Sequence, residues 1–200
     1  MPTIVIPFAA DGKTRLHPAA RIRRALAQAM FCDVLAACVL VGNTRVVTTD
    51  AETAAIARET GAETVSDPGG GQAAAVLAGL AGLEPDGILV VNADVPCVVP
   101  HDLRALIAAT PAGCLGLVEA ADGTTNALSL PSADVFAPLY GEGSADGFRS
   151  HAASLGLEAV TVAVPNLAED VDTMDDLTQL QLRAGPRTQA CLSELERSVA

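Results

Sequence analysis

The sequence contains very few aromatic residues and few positive charges. It has no tryptophan, one tyrosine and four phenylalanines, so its core must consist mainly of aliphatic side chains and alanine. Twelve Lys and Arg stand against 24 Asp and Glu, which gives a formal net charge of −12 at pH 7. This charge argues against a nucleic acid as partner and offers no basic surface to a membrane.

Patterns that would indicate a disulfide framework, a zinc site or export are absent as well. The five cysteines form no C-x-x-C pair, and such cysteines are usually small buried hydrophobic residues in a reducing compartment. The longest apolar run, residues 34–41, is far too short to span a bilayer. The first residues lack the basic segment and long apolar core of a signal peptide. We therefore expect a cytoplasmic protein.

Two common phosphate-binding signatures are also missing. Gly12-Lys13-Thr14 resembles the end of a P-loop, but the glycine required five residues earlier is Pro7. A G-x-G-x-x-G fingerprint is absent, which disfavours a dinucleotide-binding oxidoreductase. Lys13 and Arg15 nevertheless follow the first predicted strand directly. They can reach phosphate oxygens from there, or they can be solvated surface cations.

Apolar runs of strand length alternate with helical patterns through the first half of the chain. This alternation predicts a parallel sheet with helices on both faces, and 200 residues suit a single domain. The strands are predicted at residues 3–8, 45–49, 63–66 and 88–92, and the helices at residues 19–39, 51–60, 72–83 and 101–109.

The alternation of strands and helices changes after residue 113. Residues 114–119 and 125–130 predict an antiparallel hairpin that turns at Asp122-Gly123. A helix that includes Phe148 and a last strand at residues 158–164 follow, and then a helix capped by Thr173. Beyond the break at Gly185-Pro186, residues 185–200 form a C-terminal tail that either frays or makes a short helix.

Asp94 ends the most apolar strand of the chain. Ligands of open α/β sheets gather outside the carboxyl ends of the strands, and a buried acid is costly unless a positive charge lies beside it. We therefore predict that Asp94 holds a metal ion. Asp170 and Asp172 lie two residues apart, so in extended chain they point the same way. Together with Asp94 they can bind Mg²⁺, or they can instead cap the helix that follows.

Three glycines precede the helix predicted at residue 72. Glycines at the start of a helix let a nucleotide lie against the backbone N–H groups. A flexible turn is the other interpretation of residues 69–71.

Six short motifs stand in a fixed order along the chain. Together they resemble the CofC/FbiD family, the guanylyltransferases of deazaflavin coenzyme F-420 biosynthesis, which act on 2-phospho-L-lactate or phosphoenolpyruvate. The motifs are I-P-x-x-x-x-G-K-T-R-L at 6–16, D-P-G-G-G at 67–71, A-D-V-P at 93–96, T-N-A-L at 125–128, Y-G-E-G-S at 140–144 and D-V-D-T-M-D-D-L at 170–177.

The resemblance implies an α/β fold: a single-domain, GT-A-like nucleotidyltransferase over residues 1–184. This is a Rossmann-like three-layer αβα arrangement whose mostly parallel sheet carries an added antiparallel hairpin. It also implies Mg²⁺ as cofactor, bound by Asp94, Asp170 and Asp172. GTP and a phosphorylated three-carbon acid would be its partners. The resemblance leaves undecided whether the protein forms a homodimer.

The resemblance also assigns the remaining site residues. Asp94, Lys13 and Arg15 would act in catalysis, with the two cations on the phosphates of GTP. The D-P-G-G-G loop would bind GTP through Asp67, Pro68, Gly69, Gly70 and Gly71. The acceptor acid would be received by Thr124, Thr125, Asn126, Gly141, Gly143 and Ser144.

The chain departs from the family pattern in three places. Residues 8–10 contain no lysine, Gln72-Ala73 stands where Leu-Asn is frequent, and extra residues lie between Ser144 and His151. Two alternatives follow. One is a related nucleotidyltransferase with another base or acceptor, such as 3-phosphoglycerate, a sugar phosphate or molybdenum cofactor. The other is a catalytically silent homologue that binds nucleotide.

Overall fold

A seven-stranded mixed sheet forms the centre of the molecule. The computed structural model describes residues 1–11, 15–16, 19–84 and 87–199. Within them the strands follow the order β3-β2-β1-β4-β6-β5-β7 across the sheet. Their bounds are β1 Thr3–Pro7, β2 Asn43–Thr48, β3 Glu63–Ser66, β4 Ile88–Val91, β5 Leu115–Glu119, β6 Thr125–Leu130 and β7 Ala159–Thr161.

Strand β6 runs against both of its neighbours, β4 and β5, whereas the other pairs of adjacent strands are parallel. The predicted hairpin of β5 and β6 is therefore confirmed. Val91 at the end of β4 pairs with Ala127 near the start of β6. Because β6 is reversed, its first residues, Thr125 and Asn126, reach the edge of the sheet at which β4 ends.

Helices cover both faces of the sheet, as the alternating pattern predicts. One apolar cluster joins the sheet to Phe31 and Leu103, and a second joins it to Val76 and Phe148. No helix in the described ranges is both long enough and apolar enough to cross a membrane. The helices are α1 Ala20–Val39, α2 Ala51–Glu59, α3 Gln72–Leu80, α4 Pro100–Ala109, α5 Ser144–Ser154, α6 Pro165–Ala168, α7 Met174–Leu180 and α8 Pro186–Val199.

Helix α3 lies close against the sheet at Gly79. A Cβ at this position would overlap the side chains of Val5 and Val47. The glycine therefore sets the distance between α3 and strands β1 and β2. This close packing also places the first turn of α3 beside the ends of these strands, where the candidate site lies.

The structure corrects three predicted boundaries. Helix α3 ends at Leu80 rather than at residue 83. The last strand, predicted at residues 158–164, is confined to Ala159–Thr161, and the unpredicted helix α6 follows it, starting at Pro165, a residue well suited to a first helical turn. The C-terminal tail forms α8, a helix of 14 residues, rather than a short or frayed end.

The buried carboxylate of Asp33 in α1 fixes the start of α8. It accepts hydrogen bonds from the backbone N–H of Arg187 at 3.0 Å and of Thr188 at 2.8 Å. The Thr188 hydroxyl donates to it at 2.7 Å. Farther along α8, Leu192 and Leu195 pack on a third apolar cluster that includes residues of α1 and α7. Helix α8 is thus an integral part of the fold.

Candidate active site

Three carboxylates meet at the carboxyl edge of the sheet. Asp94 follows β4, and Asp170 and Asp172 follow α6. One oxygen from each side chain lies within 4.8 Å of the other two, and all three residues are half-buried. The backbone N–H of Val171 donates to the carbonyl of Asp94 at 2.9 Å, which joins the two segments. The structure therefore brings together the acids that the sequence nominates as metal ligands.

The start of α7 orders the backbone at Asp172. Thr173 is the N-cap, and its hydroxyl accepts from the backbone N–H of Asp176. The Asp176 carboxylate accepts in turn from the backbone N–H of Thr173 at 2.8 Å and of Asp172 at 3.1 Å. Thr173 and Asp176 make this capping box, so the alternative that Asp170 and Asp172 cap the helix is wrong.

Arg15 is the cation nearest to this cluster within the described ranges. Its guanidinium forms an ion pair with Asp172 at 2.6 Å, and 76% of its side chain is exposed. Exposed ion pairs contribute only about 0–1 kcal/mol, so this one does not hold Arg15 in place. Lys13, predicted to act beside it, lies outside the described residues.

A cavity of about 510 Å³ opens beside the acids. Its size falls within the usual range for small-molecule sites, about 300–1,000 Å³. The described part of its lining contains no His and no Cys. The lining comprises Pro7, Phe8, Ala9, Arg15, Ala27, Met30, Asp67, Gly71, Gln72, Ala75, Asn92, Ala93, Asp94 and Asp172.

Phe8 is the first of the three residues after β1 among which the family pattern leads one to expect a lysine. Its ring is buried and lies 4.7 Å from the ring of Phe31, measured between centroids. The first loop is therefore anchored to the core by an aromatic pair. It offers the cavity an apolar wall at this position rather than a charge.

The D-P-G-G-G loop forms another part of the cavity wall. Asp67 and Gly71 line the cavity, whereas Pro68, Gly69 and Gly70 are exposed. The Asp67 carboxylate accepts from the backbone N–H of Gly69 at 2.8 Å, which closes the turn. The three glycines have φ angles of 79°, 94° and 91°. Side chains other than glycine rarely adopt this region, so the loop requires glycine to turn into α3.

The residues assigned to the acceptor acid divide into two groups. Asn126 reaches the acids, because its Nδ2 donates to the Asp170 carboxylate at 3.1 Å. Thr125 and Ser144 are buried, and the Ser144 hydroxyl donates to that of Thr125 at 3.2 Å. This pair joins the start of β6 to the start of α5 and does not line the cavity.

Thr124 lies in the turn before β6. Gly141 and Gly143 lie in the loop before α5. The Thr124 hydroxyl and backbone N–H both donate to Asp122. These bonds, with a smaller contribution from the charge of Arg15, lower the pKa of Asp122. Gly143 is the N-cap of α5 in a left-handed conformation, with φ of 69°. Gly141 has φ of 125° and is exposed.

The sequence interpretation missed Asn92 as a site residue. It follows β4, lines the cavity and lies two positions before Asp94. Its backbone N–H donates to the carbonyl of Asn126 at 2.9 Å. An amide at the end of a wholly apolar strand was the available signal, because a polar residue there faces the edge at which ligands gather.

The donor set of the cluster fits a hard divalent cation. Carboxylate oxygens are the preferred ligands of Mg²⁺, which is usually bound through one or two carboxylates together with substrate phosphates. Three acids within one small volume also repel one another unless a cation neutralises them. Asp94, Asp170 and Asp172 therefore have the chemistry that a magnesium site requires.

Comparisons with known proteins agree on the family. The model of the MobA-like NTP transferase domain matches residues 8–177. A phosphoenolpyruvate guanylyltransferase from Streptomyces coelicolor is 37% identical over 207 residues, which cover 96% of each chain. One from Geodermatophilus obscurus is 34% identical over 197 residues, which cover 96% of this chain and 87% of that protein.

Solved structures with low sequence identity share the fold. One, described as a nucleotide-diphospho-sugar transferase from Desulfovibrio desulfuricans, has a TM-score of 0.74 at 15% identity and covers 98% of this chain and 96% of its own. A 4-diphosphocytidyl-2C-methyl-D-erythritol synthase has a TM-score of 0.61 at 18% identity, covering 91% and 98%. The predicted GT-A-like fold is thereby confirmed. The chain belongs to the MobA-like NTP transferase family and, within it, to the CofC/FbiD nucleotidyltransferases.

Proposed function

We propose that this enzyme transfers the guanylyl group of GTP to the phosphate of phosphoenolpyruvate. The observation that carries the proposal is the cluster of three acids beside the cavity of about 510 Å³. The names of the relatives at 34–37% identity supply the nucleotide base and the acceptor. On this proposal the product enters the synthesis of a deazaflavin coenzyme, and Mg²⁺ is the resident cofactor.

The proposed reaction is an in-line displacement at the α-phosphorus of GTP. A phosphate oxygen of phosphoenolpyruvate attacks this phosphorus, the bond to the bridging oxygen breaks, and pyrophosphate leaves. The attacking oxygen is already anionic at neutral pH, so the reaction needs no general base. The absence of His and Cys from the described cavity lining fits this requirement.

The acids act as ligands rather than as bases or nucleophiles. Asp94, Asp170 and Asp172 present oxygens to the metal, and when bound Mg²⁺ neutralises phosphate charge and stabilises the leaving pyrophosphate. Arg15 lies beside them in a weak exposed pair with Asp172. It can therefore turn from the carboxylate to a phosphate oxygen when the nucleotide enters.

The nucleotide would lie between the first loop and the start of α3. Gly71 and Gln72 bring backbone N–H groups of the first turn of α3 to the cavity wall. The positive end of a helix favours a nearby phosphate. These groups and Arg15 offset the net charge of −12, which would otherwise repel two anionic substrates.

A pyrophosphate-release assay tests the proposal. GTP, ATP, CTP and UTP are each combined with phosphoenolpyruvate, 2-phospho-L-lactate and 3-phosphoglycerate, with and without Mg²⁺. We expect release with GTP and phosphoenolpyruvate in the presence of Mg²⁺. Release with another base or acceptor would replace the proposed substrates. Binding of GTP with no release in any combination would identify a catalytically silent homologue.

A further inference from the structure

Three side-chain amides form a continuous hydrogen-bonded line that begins at the cavity wall, where Gln72 and Asn92 lie, and ends inside the protein. Gln72 Nε2 donates to Asn92 Oδ1 at 2.6 Å. Asn92 Nδ2 donates to Asn126 Oδ1 at 3.3 Å. Asn126 Nδ2 then donates to the carboxylate of Asp170 at 3.1 Å. The line therefore runs from the first residue of α3 to one of the three clustered acids.

The direction of the line is fixed by its last member. An ionised carboxylate only accepts hydrogen bonds, so Asn126 must turn its NH₂ group towards Asp170. Its oxygen then faces Asn92, which must in turn present its own NH₂ group. The oxygen of Asn92 consequently faces Gln72. Each amide is oriented by the next, and bonds aligned in this way polarise one another.

Burial makes the line a rigid support. Asn126 is 1% exposed and belongs to β6. Asn92 is held against the start of β6, because its Nδ2 also donates to the carbonyl of Thr125 at 3.3 Å and its backbone N–H donates to the carbonyl of Asn126. Only Gln72, on the cavity wall, is exposed. A change at the cavity end can thus reach Asp170 through side chains that have little freedom to turn.

We propose that Gln72, Asn92 and Asn126 are positioning residues that orient the Asp170 carboxylate for the metal. None of them needs to touch the metal, and Asn92 is the central link. The inference rests on the proposed function only in taking the acid cluster as a metal site. It does not depend on which nucleotide or acceptor the enzyme uses.

Asn92 allows a test in which simple charge and the proposed line predict opposite results. Asn92→Ala cuts the line without reversing it. Asn92→Asp places a carboxylate against the oxygen of Asn126, so Asn126 can keep a bond to residue 92 only by turning its NH₂ group away from Asp170, and otherwise the two oxygens repel each other. Electrostatic attraction alone would make Asn92→Asp bind a divalent cation more tightly, because it adds a negative charge near the site.

Measuring Mn²⁺ affinity decides between simple charge and the proposed line. Calorimetry and electron paramagnetic resonance give this affinity in the absence of nucleotide. Loss of a partner of a metal ligand commonly costs about 10–100-fold in affinity. We expect Asn92→Ala to bind Mn²⁺ about threefold more weakly than the unmodified protein. Asn92→Asp should bind it more weakly by a factor of about ten or more. Gln72→Leu, which removes only the exposed end of the line, should have the smallest effect.

Ala9→Asp is the matched control, since Ala9 is an exposed residue of the cavity wall outside the line. It should leave Mn²⁺ affinity unchanged or raise it. Affinity of Asn92→Asp equal to or tighter than that of Asn92→Ala would overturn the inference. So would an unmodified protein that binds no Mn²⁺. Mn²⁺ binding in the expected order, with no pyrophosphate release from any substrate pair, would overturn the proposed function alone.

Discussion

Asp94 reaches the acid cluster because β4 is buried along its whole length and ends three residues earlier. A strand in the middle of a sheet holds its end in place, so the carboxylate has little freedom to move away. Asp170 and Asp172 depend instead on a short helix and a capping box. Asp94 is therefore the residue whose loss is expected to affect the reaction most cleanly.

Asp94→Asn should lower the rate of pyrophosphate release by about 100-fold or more, because the amide binds a divalent cation poorly and electrostatic groups in active sites contribute factors of this order. The side chain keeps its size, so the melting temperature should change little. Asp175→Asn is the control, because Asp175 is an exposed acid in the first turn of α7. Asp94→Asn with full activity would remove Asp94 from the mechanism.

Arg15→Ala should raise the KM for GTP and leave the unfolding free energy almost unchanged. The guanidinium is free to reach phosphate, whereas its exposed pair with Asp172 contributes only about 0–1 kcal/mol. Steady-state kinetics and urea unfolding measure the two effects, and Arg15→Lys should recover part of the loss. A destabilised protein with an unchanged KM would assign Arg15 a structural role instead.

Sequence patterns located the acids but not their neighbours. The end of a buried strand predicts where Asp94 lies, and the two-residue spacing of Asp170 and Asp172 predicts a shared direction. Their role as metal ligands stays a prediction. Which polar side chain meets which depends on the register of β4 against the reversed β6, and no local pattern encodes that register. The bonds that Asn92 makes to Gln72 and Asn126 could not be predicted for this reason.

At the scale of secondary-structure elements, α8 shows what local patterns leave out. The donors at its start are satisfied by Asp33, whose partner Thr188 lies 155 positions along the chain. A Cβ on Gly185, just before α8, would overlap the Asp33 side chain. Short motifs inside α8 give no sign of this contact, so the tail could be predicted only as a short helix or a frayed end.

Asp33→Ala should lower the free energy of unfolding by about 2–4 kcal/mol. It removes the acceptor of three hydrogen bonds. A bond to a charged group is commonly worth about 1.5–3 kcal/mol, but the three contributions do not add because they share one carboxylate. Asp33→Asn keeps one oxygen and should lose less. Urea unfolding followed by circular dichroism measures both. A change below about 0.5 kcal/mol for the alanine variant would show that α8 docks through its apolar face alone.

At the scale of the whole molecule, we expect charge to set the order in which ligands bind. A net charge of −12 opposes the approach of an anionic nucleotide, and the described cavity lining offers one cation, Arg15. On the proposed function, the three clustered acids would attract a divalent cation instead. We therefore expect the nucleotide to bind tightly only when the divalent metal is present, at every nucleotide concentration that can be tested.

GTP together with Mg²⁺ should raise the melting temperature by about 5–10 °C when the nucleotide exceeds its Kd about 100-fold, since this corresponds to about 2.7 kcal/mol. GTP alone should raise it by much less. Differential scanning fluorimetry measures both shifts, with Asp94→Asn as the variant that should lose the effect of the metal. An equal shift without Mg²⁺ would show that the protein's own groups neutralise the phosphates.

The reversed direction of β6 has a consequence for how this enzyme can diversify. The cavity residues that follow β1, β3 and β4 come from strand ends, whereas Asn126, which donates to the acid Asp170, comes from a strand beginning. An insertion at the turn around Gly123 alters the approach to β6 and leaves the three parallel strands in register. On the proposed function, a changed hairpin tip would therefore alter acceptor binding and leave the nucleotide side of the cavity intact.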